Sequence, residues 1–378
     1  MPVREVVSKV PAEPPPPHQA TGRNTLIRGV TNSVIGVAAF LITCIGLRAL
    51  LPFPEIDGGV SQKFRFFAAH KDDFDTLFIG SSRVYFQISP AIFDRVTRES
   101  GMPTRSFNFG IGGMYLPETS YLLEQILNLK PRNLKWVFIE YDELQTKWSP
   151  ENQTSRRALY WADWKRVSLL WRKLTDAGTD AFWRPNPEKL RELVLPQNND
   201  KSTGSLLTFY AGQFEKNYTN VARAGDLLDH FLSRGTKERR TRFLGAGDDG
   251  YVSKAGGMSP SKAAAYERAL ASAMAKTESL PPSPYTAHAY RQCAQEVRSI
   301  GAAPIFLITP SITETNVATE GTGLTGVVMA FNNPRAYPNL FRSSVRRDGQ
   351  HLTKAGAEEF TRIVATNFVE LVRAGDIK

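Results

Sequence analysis

Leu77-Phe78-Ile79-Gly80-Ser81-Ser82-Arg83 decides how this chain is read. An apolar run stops at a glycine and two hydroxyl side chains, which is how a buried strand ends when its last residues face a cleft. A serine at that point has the placement of a nucleophile. Alone it equally fits an ordinary turn, because glycine and serine punctuate strand ends generally. Its meaning depends on what the rest of the chain brings to it.

Working outward, Asp75 to Ile79 reads as a first strand, and Ser89-Pro90 opens a helix carrying Ile92, Phe93 and Val96, with serine as cap and proline in the first turn. A second strand is expected over Thr104 to Phe109, followed by Gly110-Ile111-Gly112-Gly113 and a helix from Pro117 to Leu127 with Leu122, Leu123, Ile126 and Leu127 at helical spacing. Trp136 to Ile139 is a third strand ending at Glu140-Tyr141-Asp142. Far downstream, Ser283-Pro284 begins a helix reaching about Ile300, and Pro304 to Ile308 is a fourth strand. The alternation predicts an α/β fold, a parallel sheet with helices on both faces, and a ligand beyond the carboxyl ends of the strands.

The totals are consistent with a large folded domain: 378 residues, 42% hydrophobic, with a net charge of +10 that admits acidic partners without choosing among them. No zinc-spaced Cys/His set, phosphate loop or aromatic RNA signature accompanies that charge, so nucleic acid is not an expected partner, and no metal or cofactor is implied. The glycines at 110–113 lack the dinucleotide fingerprint spacing. Cys44 and Cys293 fall in unlike settings, an apolar run and a predicted helix, and are not expected to pair.

Residues 1–26 are polar and proline-rich and read as a tail. Residues 27–52 form an apolar segment, uncharged from Gly29 to Leu47, of a length suited to one membrane crossing. Arg4, Lys9, Arg23 and Arg28 before it, with Glu55 and Asp57 after it, predict a cytoplasmic amino terminus and an extracytoplasmic remainder at the inner membrane. A cleaved signal peptide competes with a retained anchor, but the leading region is long and no small-x-small site follows. The expected domain is then 53–378, interrupted at about 144–282 by a mostly helical insertion. That insertion holds Trp148, Trp161, Trp164, Trp171 and Trp183 among Arg156, Arg157, Lys165, Arg166, Arg172 and Lys173. An amphipathic subdomain with tryptophans in its core is the simpler expectation; a cap over the cleft or a surface for glycan or lipid headgroups is the other.

Near the carboxyl terminus Asp348-Gly349-Gln350-His351 precedes a helix carrying Phe360, Ile363, Val364, Phe368, Leu371 and Val372 on one face. Histidine is scarce, five in all: His18 lies in the tail, His70, His230 and His288 lack a nearby motif, and His351 has an aspartate three residues before it.

With these blocks in order, the chain resembles the SGNH (GDSL) hydrolase superfamily over about residues 73–142 and 283–373. The resemblance implies a flavodoxin-like three-layer sandwich. Gly80-Ser81-Ser82-Arg83 is similar to the first family block and would make Ser82 the nucleophile. Asn108-Phe109-Gly110-Ile111-Gly112-Gly113 is similar to the second, which would put a backbone N–H of Gly113 in the oxyanion hole beside that of Ser82. Asp348-x-x-His351 is similar to the last, completing a triad, and Ser81, Arg83, Asn108 and Asp142 would line the site. The third block departs from the family: Glu140-Tyr141-Asp142 stands where an asparagine is usual, and an ionised carboxylate cannot donate to an oxyanion.

The anchor, the insertion and Asp-Gly-x-His together look like membrane-anchored factors of alginate O-acetylation and teichoic-acid D-alanylation, which work beside membrane-bound O-acyltransferases. The expectation is a serine esterase or O-acyltransferase acting on a glycan or ester, tethered to membrane lipid by its anchor. Two alternatives stand beside it: a non-catalytic assembly protein holding an anionic glycan in a basic cleft, and a plain esterase of lipid or small esters.

Overall fold

The computed structural model describes residues 21–50, 53, 56, 59–145, 157–175, 186–188, 191, 211–212, 217, 243–276, 281–315, 317–318 and 324–377. The chain divides into two compact units, Met1–Leu50 and Leu51–Lys378.

In the first unit, helix α1 (Thr21–Leu50) contains a stretch, Thr25–Cys44, long and apolar enough to cross a membrane. Leu26, Ile27, Val34, Ile35, Phe40 and Ile42 are all exposed along it. The helix begins earlier than the expected residue 27, because Thr21 to Asn24 carry no proline to stop it. The rest of the expected tail lies outside the described residues.

The second unit is built on five parallel strands in the order β2-β1-β3-β4-β5. They are β1 (Thr76–Gly80), β2 (Ser106–Gly110), β3 (Trp136–Glu140), β4 (Ala303–Ile308) and β5 (Val327–Ala330). Alternate side chains of each strand point to opposite faces, and both faces are covered. Leu77, Ile79, Phe107, Phe109, Val137, Ile139 and Phe306 pack under α2 (Val60–His70), α5 (Leu116–Asn128) and α9 (Pro284–Ser299). Phe78, Phe138, Ile305, Leu307 and Met329 pack under α4 (Pro90–Glu99), α8 (Pro260–Met274) and α11 (Lys354–Ala374). Burial on both sides is why these strands read as unbroken apolar runs. Short helices α3 (Ser82–Tyr85) and α10 (Pro338–Phe341) complete the main domain.

Local chemistry sets the helix starts. Pro90 and Pro284 occupy first turns, and the Ser283 hydroxyl accepts the Thr286 N–H at 3.2 Å. Ser89 makes no such cap; its N–H donates instead to Thr361 Oγ1 of α11, tying the two helices of that face. The elements beyond the expected set include α2 and β5, besides the short α3 and α10. The first shows Val60, Phe64 and Phe67 at helical spacing, whereas β5 is only four residues long behind a Gly/Thr-rich segment.

Of the expected insertion, α6 (Ala158–Trp161), α7 (Trp164–Thr175), α8 and a turn at 243–250 are described. Trp161 is fully buried in the core beside α5 and Trp164 is exposed; Trp148, Trp183 and Arg156 lie outside the described residues. The turn closes the free edge of β2, where the Asn108 N–H donates to Asp249 O at 2.8 Å. Gly250 makes that approach feasible: its φ is +84°, and a Cβ there would run into the Asn108 carbonyl.

Candidate active site

The strand order reverses at β1, whose neighbours β2 and β3 lead away in opposite directions, and the crevice beyond their carboxyl ends is where doubly wound sheets bind ligands. Ser82 is the second residue after β1. Its hydroxyl lies 2.7 Å from His351 Nε2, across 269 residues of chain. His351 Nδ1 in turn sits 2.9 Å and 3.0 Å from the two oxygens of Asp348.

The direction of these bonds follows from Asp348. Burial by itself would raise its carboxyl, but hydrogen bonds from the His351 ring and from the backbone N–H groups of Gln350 and His351 outweigh that and hold it at about 2. An ionised carboxylate only accepts, so Nδ1 of the neutral ring carries the proton and Nε2 is left to accept from Ser82. The loop is rigidly presented. Arg347 N–H donates to His351 O at 2.8 Å, Thr353 N–H to Val345 O at 2.8 Å, and buried Arg346 makes two bonds to Pro310 O at 2.7 and 2.6 Å. Thr353 then caps α11 by accepting the Gly356 N–H.

A cavity of roughly 350 Å³ opens beside Ser82, lined among others by Ser81, Arg83, Gly113, Tyr141, Asp142, Glu143, Glu314 and Gln350. Gly113 therefore reaches the cavity from the β2 side. Its peptide is oriented from behind: Arg157 donates to Gly112 O at 2.7 Å while its other nitrogens grip the buried Glu118 carboxylate at 2.8 and 2.5 Å. None of Trp161, Trp164 and Trp171 lines the cavity; Trp161 packs in the core and Trp164 is exposed.

Asn108 is a correction. It was expected to line the site, yet it is completely buried and absent from the cavity wall. Its amide donates to Val84 O at 2.8 Å and Ile88 O at 2.6 Å, and its oxygen accepts the Gly110 N–H at 2.8 Å. With every group spent, it clasps the turn that follows Ser82 to the end of β2. Lys63 of α2, equally buried, bonds the carbonyls of Asn108, Gly110 and Gly250 at 3.0, 2.7 and 2.6 Å, with Tyr85 against its ammonium. Burial depresses its pKa well below the usual lysine value, with Asp249 opposing.

Ser81 and Arg83 do reach the cavity, but both are engaged. Ser81 donates its backbone N–H and its hydroxyl to Glu140, the latter at 3.1 Å. The Arg83 guanidinium bonds Glu140 at 2.5 Å and Glu314, and stands 3.5 Å from Asp142. Glu314 was not singled out from the sequence; the strand-end rule applied to β4 points to the 309–314 segment that carries it. Burial pushes the Glu314 carboxyl up to about 7 and that of Asp142 up to about 6, in each case against the pull of Arg83. For Asp142, then, burial favours the protonated carboxyl and Arg83 opposes it. Among the described residues no set of three or more His, Cys, Asp or Glu side chains is arranged to hold a metal ion; these carboxylates converge on Arg83 instead.

No family model matches this chain, and no curated protein matches it either.

Proposed function

We propose that the protein is a membrane-anchored serine esterase or O-acyltransferase of the SGNH type, acting outside the cytoplasm on an acylated glycan or small ester. The observation that carries the proposal is the chain Asp348–His351–Ser82 with both hydrogen bonds in reach at the mouth of a cavity. The order of the Ser82, Gly113 and Asp348-x-x-His351 blocks supports the same family, and the apolar α1 supports the tether.

In this reading His351 Nε2 takes the Ser82 proton as Oγ bonds to the ester carbon and the carbonyl electrons move onto oxygen. Collapse of that intermediate re-forms the carbonyl and breaks the bond to the alcohol, which leaves with the proton from His351. Water or a sugar hydroxyl, deprotonated in turn by His351, then adds to the acyl carbon, and the bond to Ser82 Oγ breaks as that oxygen takes the proton back from His351. Asp348 keeps the ring oriented and stabilises its cationic form. A hydroxyl held in the cavity favours transfer over hydrolysis by proximity. In the transfer form the acyl group reaches Ser82 from a membrane-bound O-acyltransferase.

The cavity does not favour an anionic glycan held in a basic cleft, since Asp142, Glu143 and Glu314 share its wall with Arg83. The test is covalent labelling of the detergent-solubilised full chain with a fluorophosphonate. Wild type is labelled, and Ser82→Ala and His351→Ala are not. Equal labelling of all three would remove the triad.

A further inference from the structure

Ser82 leaves the sheet from β1, and the two strands bonded to β1 supply groups on either side of the same cavity: Gly113 beyond β2 and Asp142 beyond β3. An oxyanion formed on Ser82 develops between those walls. Gly113 presents backbone there, whereas the β3 side presents a carboxyl, which repels an oxyanion when ionised and donates to it when neutral.

The neighbours of Asp142 decide which form it takes. From α3, Arg83 is the cation that faces it; from β3 and the residues after it come Glu140, Tyr141 and Glu143; from the segment after β4 comes Glu314; from α9 comes the phenol of Tyr290, which accepts the Asp142 N–H at 2.6 Å. Glu140 has Arg83 at 2.5 Å and the Ser81 hydroxyl at 3.1 Å, and Glu143 has Lys173 of α7 at 3.0 Å and Thr286 at 2.6 Å. Asp142 has only the 3.5 Å approach of Arg83 and no nearer side-chain donor among the described residues. A single guanidinium thus faces Glu140, Asp142 and Glu314, and ionising all three would bury an uncompensated excess of negative charge.

We propose that Asp142 is a catalytic residue: as a neutral carboxylic acid it donates a hydrogen bond to the oxyanion formed on Ser82, from the side opposite Gly113. It keeps its proton throughout, since the proton that travels is the one passed from Ser82 through His351 to the leaving alcohol. A carboxyl held neutral by its surroundings is an established type of oxyanion donor. The raised affinity of Asp142 for its proton, set chiefly by burial, fits this role. The inference rests on the serine-nucleophile reading, and the experiment separates the two.

Phenylboronic acid forms a tetrahedral adduct with a nucleophilic serine, and its binding to the detergent-solubilised full chain is followed by calorimetry from pH 5 to 8. Measured against Asp142→Asn, whose amide donates at every pH while the other titrating groups stay in place, the wild type is expected to bind progressively more weakly as pH rises through about 6, as the Asp142 proton is lost. Asp142→Ala binds about 10²-fold or more weakly than wild type at pH 5. Ser82-dependent binding with one common profile in wild type, Asp142→Asn and Asp142→Ala overturns this proposal while leaving the nucleophile in place. Binding that Ser82→Ala leaves unchanged overturns both.

Discussion

Arg157 and Glu118 allow a stability prediction that needs no assumption about function. The pair is a two-bond fork at 2.8 and 2.5 Å, with side chains only 11% and 7% exposed, and Arg157 spends a third nitrogen on Gly112 O at 2.7 Å. Arg157→Met strands a buried carboxylate, which costs about 3–5 kcal/mol, and strips a donor from the Gly112 carbonyl for about 1 kcal/mol more. Glu118→Met strands the guanidinium, with Gly112 still bonded, at a cost of about 3 kcal/mol. The double substitution leaves neither charge uncompensated and replaces the fork with apolar volume, a change that is often near neutral; it is expected to cost about 1–2 kcal/mol, less than either single change. The assay is urea unfolding of the full chain in detergent, followed by tryptophan fluorescence, with Trp161 in the adjacent core as a reporter. Equal slopes with shifted midpoints report stability itself. Strict additivity, with the double variant about as unstable as the two singles combined, would refute the claim that the partners matter chiefly to each other.

Three further outcomes are expected. Asn108→Asp destabilises the fold by roughly 3 kcal/mol or more and by more than Asn108→Ala, because a carboxylate would face the carbonyls of Val84 and Ile88 that the amide now serves; equal denaturation midpoints for the two variants would contradict the clasp. Lys63→Met leaves the carbonyls of Asn108, Gly110 and Gly250 without their donor and lowers the thermal midpoint, while Ser82 labelling by the fluorophosphonate slows as the end of β2 loosens; unchanged labelling would separate Lys63 from the site. The Asp348 carboxyl is depressed, to about 2, so its contribution to stability is present above the unfolded value near 4 and is lost as pH falls toward 2. With its side chain more than half exposed, that contribution is at most about 1 kcal/mol after solvent screening. Asp142 has the opposite sign: a raised carboxyl costs stability as pH climbs from about 4 to about 6. Acid titrations of Asp348→Asn and Asp142→Asn, read by unfolding midpoint, should flatten opposite slopes.

Much of the architecture was legible before the structure. β1 to β4 announced themselves as apolar runs bounded by glycine, proline or acidic residues, and the Ser-Pro pairs at 89–90 and 283–284 marked helix starts within a residue of where they occur. β5 escaped because four residues carry too little pattern, and α2 because it lies between the apolar helix and the first recognised strand. At the site, Ser82, Gly113, Asp348 and His351 were legible as candidates, and the structure brings Ser82 and Gly113 to one cavity and His351 to Ser82. Asn108 was misread because its motif spacing says where it lies in the chain but not which way its amide turns. Glu314 was reachable only through the strand-end rule applied to β4, and Lys63 and the Arg157–Glu118 fork gave no local signal.

What the sequence determined alone is therefore what depends on neighbours a few residues apart: the alternation of strand faces, the helix caps and the apolar length of α1. These are properties of backbone geometry and side-chain polarity, and they act before any distant contact forms. Only the tertiary structure decided that Ser82 meets a histidine 269 positions away, that Asn108 is a clasp, and that three carboxyls converge on Arg83. Those outcomes depend on which groups lose their water together, and the same loss of water sets whether Asp142 keeps its proton.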